Sequence, residues 1–260
     1  MGKKLGLALG AGGSRGVAHI GFLQALEEAG IKPDYITGCS MGSVVGGAYA
    51  AGVPLEKIKS VVLKLRLLDL IGPTRQRGGL FASKKIWKLL EKYIGDVTFD
   101  DLEIPFRCVA VDMITQQTVE FAKGSLLDAI VASSTIPAIF HPLHKDDMRL
   151  IDGGVLERVP AQRVKALGAD VVVAVDVLGW RNASEECPGT LGVLLEMVDI
   201  MDNHRTKAYR EKHADSIDFW LEPELGNMNQ HSLKQVSFAY EKGYELGKKS
   251  VKKIQKALEK

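Results

Sequence analysis

The 260-residue chain has little of what would place it in several large classes of protein. Its three cysteines, Cys39, Cys108 and Cys187, are widely spaced and odd in number. That fits neither a disulfide framework nor a zinc site, and it suits a reducing compartment. The formal charge of +2 is too small for the basic footprint of a nucleic-acid binder. No run of eighteen uninterrupted apolar residues exists, so a membrane-spanning helix is not expected. The segment from Met1 to Leu9 lacks the longer apolar core and cleavage site of a signal peptide, and it reads instead as a buried first strand. Internal repeats and low-complexity tracts are also missing. What is left is an ordinary globular composition, 46% hydrophobic and 25% charged, long enough for one large domain.

The order of elements reads as α/β. Leu5 to Leu9 is a short buried strand, followed by the loop Gly10-Ala11-Gly12-Gly13-Ser14-Arg15-Gly16 and a helix from Val17 to Ala29 with Val17, Ile20, Leu23 and Leu26 as its stripe. Asp34 to Cys39 is a second strand, and Met41 to Ala51 a small-residue helix that can pack closely on a sheet. Strand, helix, strand, helix implies a parallel sheet. Pro54 to Ile94 is mainly helical in pattern, interrupted by a basic, glycine-containing loop from Ile71 to Gly79 that is a candidate cap over a cleft. Strands are expected at Phe106 to Asp112, Thr118 to Ala122, Arg149 to Ile151, Asp170 to Val177 and Ile217 to Leu221. Helices are expected at Leu126 to Ser133, Ala161 to Leu167, Leu191 to Tyr209 and Ser232 to Leu258, with a polar loop from Arg181 to Pro188.

Gly38-Cys39-Ser40-Met41-Gly42 has the Gly-x-Ser-x-Gly form of a nucleophile elbow, at an expected strand-to-helix junction. Glycine is abundant here, so the pentapeptide alone is weak and its context has to decide. A serine nucleophile needs donors for an oxyanion and a proton acceptor. The loop from Gly10 to Gly16 opens a helix, where backbone amides converge and negative charge is favoured. Its spacing departs from the dinucleotide-binding pattern, and the second strand ends at Ser40 rather than at an acidic residue. For the acceptor, none of the six histidines stands in a recognisable catalytic setting. His19 reads as a packed residue of the first helix, and His204 and His213 as exposed ones. Asp152, before Gly153 and Gly154 at a strand end, can approach closely, but Asp-Gly-Gly is also a common tight turn.

Taken together these blocks resemble the bacterial patatin-like phospholipase family. Gly12-Gly13-Ser14-Arg15-Gly16 is similar to its Gly-Gly-Gly-x-Arg-Gly motif, with Ala11 in place of the first glycine. Gly38 to Gly42 is similar to its nucleophile motif, Ala132-Ser133-Ser134-Thr135-Ile136-Pro137 to its Ala-Ser-x-x-x-Pro block, and Asp152-Gly153-Gly154 to the motif that carries its aspartate. The blocks fall between Leu5 and Val177, and residues 178–260 read as the C-terminal helical part of the same single domain, 1–260.

The resemblance implies a three-layer α/β/α fold with a mainly parallel central sheet. It also implies a serine–aspartate dyad that hydrolyses esters of phospholipids, lysophospholipids or related lipids. Ser40 is the implied nucleophile and Asp152 the general base, with an oxyanion hole from Gly12, Gly13, Ser14 and Arg15. No metal and no cofactor is implied. Asp152 needs a partly desolvated site, because an ordinary carboxylate is a weak base. If Ala11 required positive φ, its Cβ would cost about 1 kcal/mol, which Gly10 could relieve by shifting. Arg15 is expected to order the loop through a salt bridge, with a phosphate headgroup as the competing role. Cys39 is expected as a small packed residue. The expected partner is a lipid ester; Thr74 to Gly79 and the lysines from Lys248 to Lys260 read first as solvated surface, with transient contact to a membrane surface as the competing role. The expected location is the cytoplasm, peripheral to the inner membrane face. Two other readings use the same scaffold: an adaptor without activity, and a thioesterase or acyltransferase.

Overall fold

The computed structural model describes residues 2–64, 69, 72–73, 79–180 and 189–259. The expected loop residues Thr74 to Gly78 and Arg181 to Pro188, including Cys187, lie outside them. From the N-terminus the elements are β1 (Leu5–Leu9), α1 (Ala18–Glu28), β2 (Tyr35–Cys39), α2 (Met41–Ala50), α3 (Leu55–Val62), β3 (Gly72–Pro73), β4 (Gly79–Ala82) and α4 (Lys84–Ile94). There follow β5 (Phe106–Asp112), β6 (Gln117–Phe121), α5 (Leu126–Ser133), β7 (Ala138–Phe140), β8 (Leu143–Lys145), β9 (Met148–Asp152), α6 (Ala161–Ala166), β10 (Val171–Val175), α7 (Thr190–Lys212), β11 (Phe219–Leu221) and α8 (Val236–Glu259).

The main sheet runs β11-β10-β1-β2-β5-β9-β8, with β6 also paired to β5. From β11 to β5 every neighbouring pair is parallel. Alternation along β1 and β10 sorts side chains into two layers. Leu5, Leu7, Leu9, Val171, Val173 and Val175 join the larger core with residues of α1, α2 and α8. Ala8, Val172 and Ala174 face the smaller cluster with Ala161 and Val164 of α6, against which Tyr209 of α7 packs. The fold is therefore α/β, with helices on both faces of a mostly parallel sheet, as expected. Strands covered on both faces must be apolar throughout, which accounts for the Val-Val-Val-Ala-Val run of β10.

Close approach on the first face depends on glycine. Gly243 and Gly247, four apart, present one face of α8 to α1, where a Cβ on Gly243 would collide with the backbone of Ala18. Lys248, Lys249, Lys252, Lys253 and Lys256 lie on the opposite, exposed side of α8. Among the described residues no helix is long and apolar enough to cross a membrane.

Two features of the sheet differ from expectation. The segment Pro54 to Ile94 contributes strands as well as helices, and β3 and β4 form a second, three-stranded sheet with β7. The hairpin partner β8 makes the far edge of the main sheet antiparallel. Strands of two to four residues carry too little alternation to be read from a sequence.

The register around β5 brings two motif ends together. Strand β6 pairs with residues 108–112 of β5 on one side. On the opposite side β2 pairs with residues 106–109, and β9 takes over at residues 110–112. Cys39 is thus opposite Val109 and Asp152 opposite Ala110, adjacent residues of one strand. The chain leaves β2 at Ser40 and leaves β9 at Asp152, so both residues emerge at the same place.

Candidate active site

Ser40 occupies the junction of β2 and α2 with φ 53° and ψ −122°, a left-handed conformation that a side chain other than glycine adopts only under constraint. Its surroundings supply the constraint. Ser40 N–H donates to Ser133 Oγ at 3.0 Å. Ser40 O accepts from Ser43 Oγ at 2.6 Å, Ser134 Oγ at 3.3 Å and the amides of Ser43 and Val44. The flanking glycines are steric necessities. A Cβ on Gly38 would lie 2.6 Å from Gly42 O, and one on Gly42 would run into the carbonyls of Leu9 and Gly10.

The block from Ser133 to Pro137 serves both motif ends. Besides holding Ser40 through Ser133 and Ser134, it accepts the Asp152 amide on Thr135 O at 2.8 Å. Asp152 itself is 6% exposed. Its Oδ1 accepts from Gly154 N–H at 2.8 Å and lies 3.9 Å from Cys39 Sγ, and Ser40 lines the same cleft as the carboxylate. Burial raises the Asp152 pKa from 3.8 to about 6, against the lowering effect of the Ser40 side chain and the Gly154 amide, with the negative charge of Asp202 adding to the rise. Burial also holds the Cys39 thiol well above its ordinary range, so Cys39 is a packed neutral residue, as expected. His19 is fully buried and its pKa falls to about 4. Its Nε2–H donates to Gly10 O at 2.8 Å, which supports the glycine loop from below. His204 is exposed and His213 is half-buried.

The loop after β1 carries Gly12 and Gly13 to the same cleft, with Ser14 and Arg15 following them in the chain, and its amides are not equivalent. Ser14 N–H donates to Gln230 O at 2.9 Å and Arg15 N–H to Gly12 O at 3.0 Å. Among the described residues no acceptor engages the Gly12 or Gly13 amide. Arg15 is 3% exposed and ties the loop to the C-terminal part of the chain. Its guanidinium donates to four carbonyls: Val177 O at 2.7 Å, Gly226 O at 2.9 Å, Met228 O at 3.0 Å and Leu178 O at 3.2 Å. These four bonds anchor the side chain within the fold. Ala11 does not have positive φ, so its Cβ is unstrained and Gly10 has nothing to relieve.

The cleft has a volume of about 110 Å3 and combines the loop residues Gly12 and Gly13 with Ser40 and Asp152. Its remaining walls include Ile136, Pro137, Val155 and Leu178, and from the C-terminal part Val198, Asp199, Asp202, Gln230 and His231. None of these C-terminal residues was singled out from the sequence. They arrive on the side of a long helix and in an irregular loop, without a motif. The one available signal was the acidic pair Asp199 and Asp202, three residues apart on an otherwise apolar turn of α7.

The comparisons with known proteins agree with this architecture. A family model described as patatin-like phospholipase matches residues 7–164. An uncharacterized NTE family protein of Mycobacterium tuberculosis is 40% identical over 191 residues, 71% of this chain and 51% of that protein. Lysophospholipase NTE1 of Saccharomyces cerevisiae is 34% identical over 186 residues, 68% of this chain and 11% of that one. The chain thus spans about half the length of the first of these relatives, or less. Among solved structures, VipD from Legionella pneumophila is similar with a TM-score of 0.64 over 97% of this chain and 67% of that one, at 14% identity, a likeness of fold alone.

Proposed function

The chain belongs to the patatin-like phospholipase family, and from that premise we propose that it hydrolyses acyl esters of membrane lipids with Ser40 as nucleophile and Asp152 as general base. The observation that carries the reading is the convergence of Ser40 and the buried Asp152 carboxylate on one cleft, where burial raises the Asp152 pKa to about 6. At neutral pH that carboxylate is ionised, and it is a stronger base than an ordinary aspartate.

In the proposed reaction, Asp152 takes the proton of the Ser40 hydroxyl as Oγ bonds to the ester carbonyl carbon. Negative charge develops on the carbonyl oxygen. The unengaged amides of Gly12 and Gly13 are the donors assigned to it, which narrows the expected oxyanion hole by the amides of Ser14 and Arg15. The bond to the alcohol oxygen breaks, and the alcohol leaves with the proton from Asp152. Water then attacks the acyl-enzyme, giving its proton to Asp152, and Ser40 regains its hydrogen as the fatty acid departs.

A cleft of about 110 Å3 takes an ester head and only the beginning of an acyl chain. Val198 lies in the cleft wall, and Leu194 and Met201 share its face of α7 while remaining 49% and 62% exposed. That apolar rim supports a substrate that is still held in a lipid surface rather than one fully enclosed. It also moves the proposed membrane contact from the lysines of α8 to the mouth of the site. Relatives are named as lysophospholipases, and lysophospholipids are the substrates assigned first.

Ser40→Ala and Asp152→Asn each test the reading on a short-chain nitrophenyl ester and on lysophospholipid. Each is expected to lower kcat by about 10^3-fold or more, with folding verified by circular dichroism. Turnover at the parental rate in either variant would refute the dyad.

A further inference from the structure

The turn that carries Asp152 is held from outside the motif region. Arg205 of α7 donates from Nη2 to Gly154 O at 2.8 Å and from Nη1 to Val155 O. Gly154 is the residue whose amide donates to Asp152 Oδ1. Arg205 is itself aimed by Asp202, whose Oδ1 lies 2.5 Å from Arg205 Nη2. The other oxygen of Asp202 meets Arg158 Nη1 at 2.7 Å, and Arg158 Nη2 meets Asp176 at the end of β10, also at 2.7 Å. Arg158 and Asp176 are 4% and 2% exposed, so this end of the chain of contacts is rigid. Through its carbonyl Arg158 also accepts the Ala11 amide, at 2.9 Å, at the entrance to the glycine loop.

Resting on the reading of Asp152 as the base, we propose that Asp202 and Arg205 are positioning residues, which fix the orientation of the Asp152 carboxylate through the backbone of Gly154 and Val155. Both lie beyond residue 164, where the family model ends. Arg205 is suited to the task because its planar fork can reach two carbonyls and one carboxylate at once. An ammonium group would meet one of them. Asp202 also lines the cleft, so its charge stands across open space from Asp152 and disfavours the ionised base.

Asp152 sits among several other charges that a pH experiment has to reckon with. Cys39 faces it from the elbow, and Asp199 and His231 lie in the same cleft wall. Arg158 and Asp176 stand behind Asp202, and Glu157 follows the turn and pairs with Arg163. Asp202 bonds directly to Arg205, the residue that holds the turn.

Full-length Arg205→Gln, Arg205→Lys and Asp202→Asn separate the two roles on the nitrophenyl ester. Arg205→Gln is expected to lower kcat by about ten- to a hundredfold, as misplacement of a catalytic group does, with KM within about twofold. Arg205→Lys is expected to recover part of that loss. In Asp202→Asn the acid limb of the kcat/KM profile is expected to move down by roughly half a unit to one unit. Arg205 is one-third exposed, so its variants keep the test open even where Asp202→Asn, which strips a buried arginine of a partner, fails to fold. Folded Arg205→Gln with parental kcat, in a parent whose activity Ser40→Ala abolishes, would overturn the proposal alone. A parent whose activity survives Ser40→Ala would remove the reading and the proposal together.

Discussion

Residues 5–177 and residues 178–259 shape the same cleft by different means. The first stretch supplies Ser40 and Asp152, proposed as nucleophile and base, and the Gly12 and Gly13 amides proposed as oxyanion donors. The second supplies a surround made largely of carbonyls, carboxylates and apolar rim. Gly226 O and Met228 O hold Arg15, Gln230 O holds Ser14, and Arg205 holds the Asp152 turn. Residue type is dictated where φ is positive or where a Cβ would strike backbone, and it is nearly free where the contribution is a carbonyl oxygen. The difference teaches that a site can be half visible as motif and half invisible as scaffold, although both halves fix its geometry.

Breaking the contact between the two regions is expected to have the largest effect on stability. Arg15→Met would leave four buried or half-buried carbonyls without their donor. The loss is expected to be about 2–4 kcal/mol, read as a lower midpoint in urea, together with a fall in kcat because the glycine loop is released. Gly243→Leu attacks the same junction away from the cleft. Its side chain meets the Ala18 backbone, and a loss of about 1–3 kcal/mol is expected. The surviving folded protein is expected to keep parental kcat, which would separate general stability from positioning.

Within the motif region the comparison is sharpened by a gain. The folded protein holds the Asp152 proton more tightly than the unfolded chain, because burial raises this pKa from 3.8 to about 6. This group therefore lowers stability as pH rises from about 4 to about 6, and the loss persists above that window. Asp152→Asn is expected to be more stable than the parent at pH 8 by on the order of 1–3 kcal/mol, with no gain at pH 4, as followed by thermal melts. Over the same window the parental kcat/KM is expected to rise with pH through about 6, as the base ionises. The smallest effect is expected at Cys39. Its thiol is fully buried and neutral, so native protein should leave it unmodified by a thiol reagent while unfolded protein reacts.

How much was legible in the sequence follows from the same contrast. The alternation of buried strands with periodic helices placed β1, β2, β5 and β10 and the helices α1, α2, α5 and α6 within one or two residues, while α7 and α8 each differ by three or four residues at one end. The short strands β3, β4, β7 and β8 were not separable from loop. Ser40 stood out because glycines on both sides mark close backbone approach, whereas Asp152-Gly153-Gly154 reads alone as a turn and gained its role only from the family resemblance. The role of Arg15 was half legible: the need to order the loop was visible, but the acceptors are carbonyls that any residue type supplies. Asp202 and Arg205 are an i,i+3 pair on α7, but nothing in the sequence ties that pair to Gly154, Val155 and Arg158, which lie about fifty residues away in and after the turn that follows β9.

The central claim is that Ser40 is a nucleophile activated by the buried Asp152 carboxylate. Incubation of folded protein with a fluorophosphonate probe, followed by intact-mass and peptide analysis, tests it most directly. One adduct is expected, on Ser40, formed at a rate that falls at least a hundredfold in Asp152→Asn. Folded parent protein that takes up no label on Ser40, or Asp152→Asn labelled at the parental rate, would contradict it.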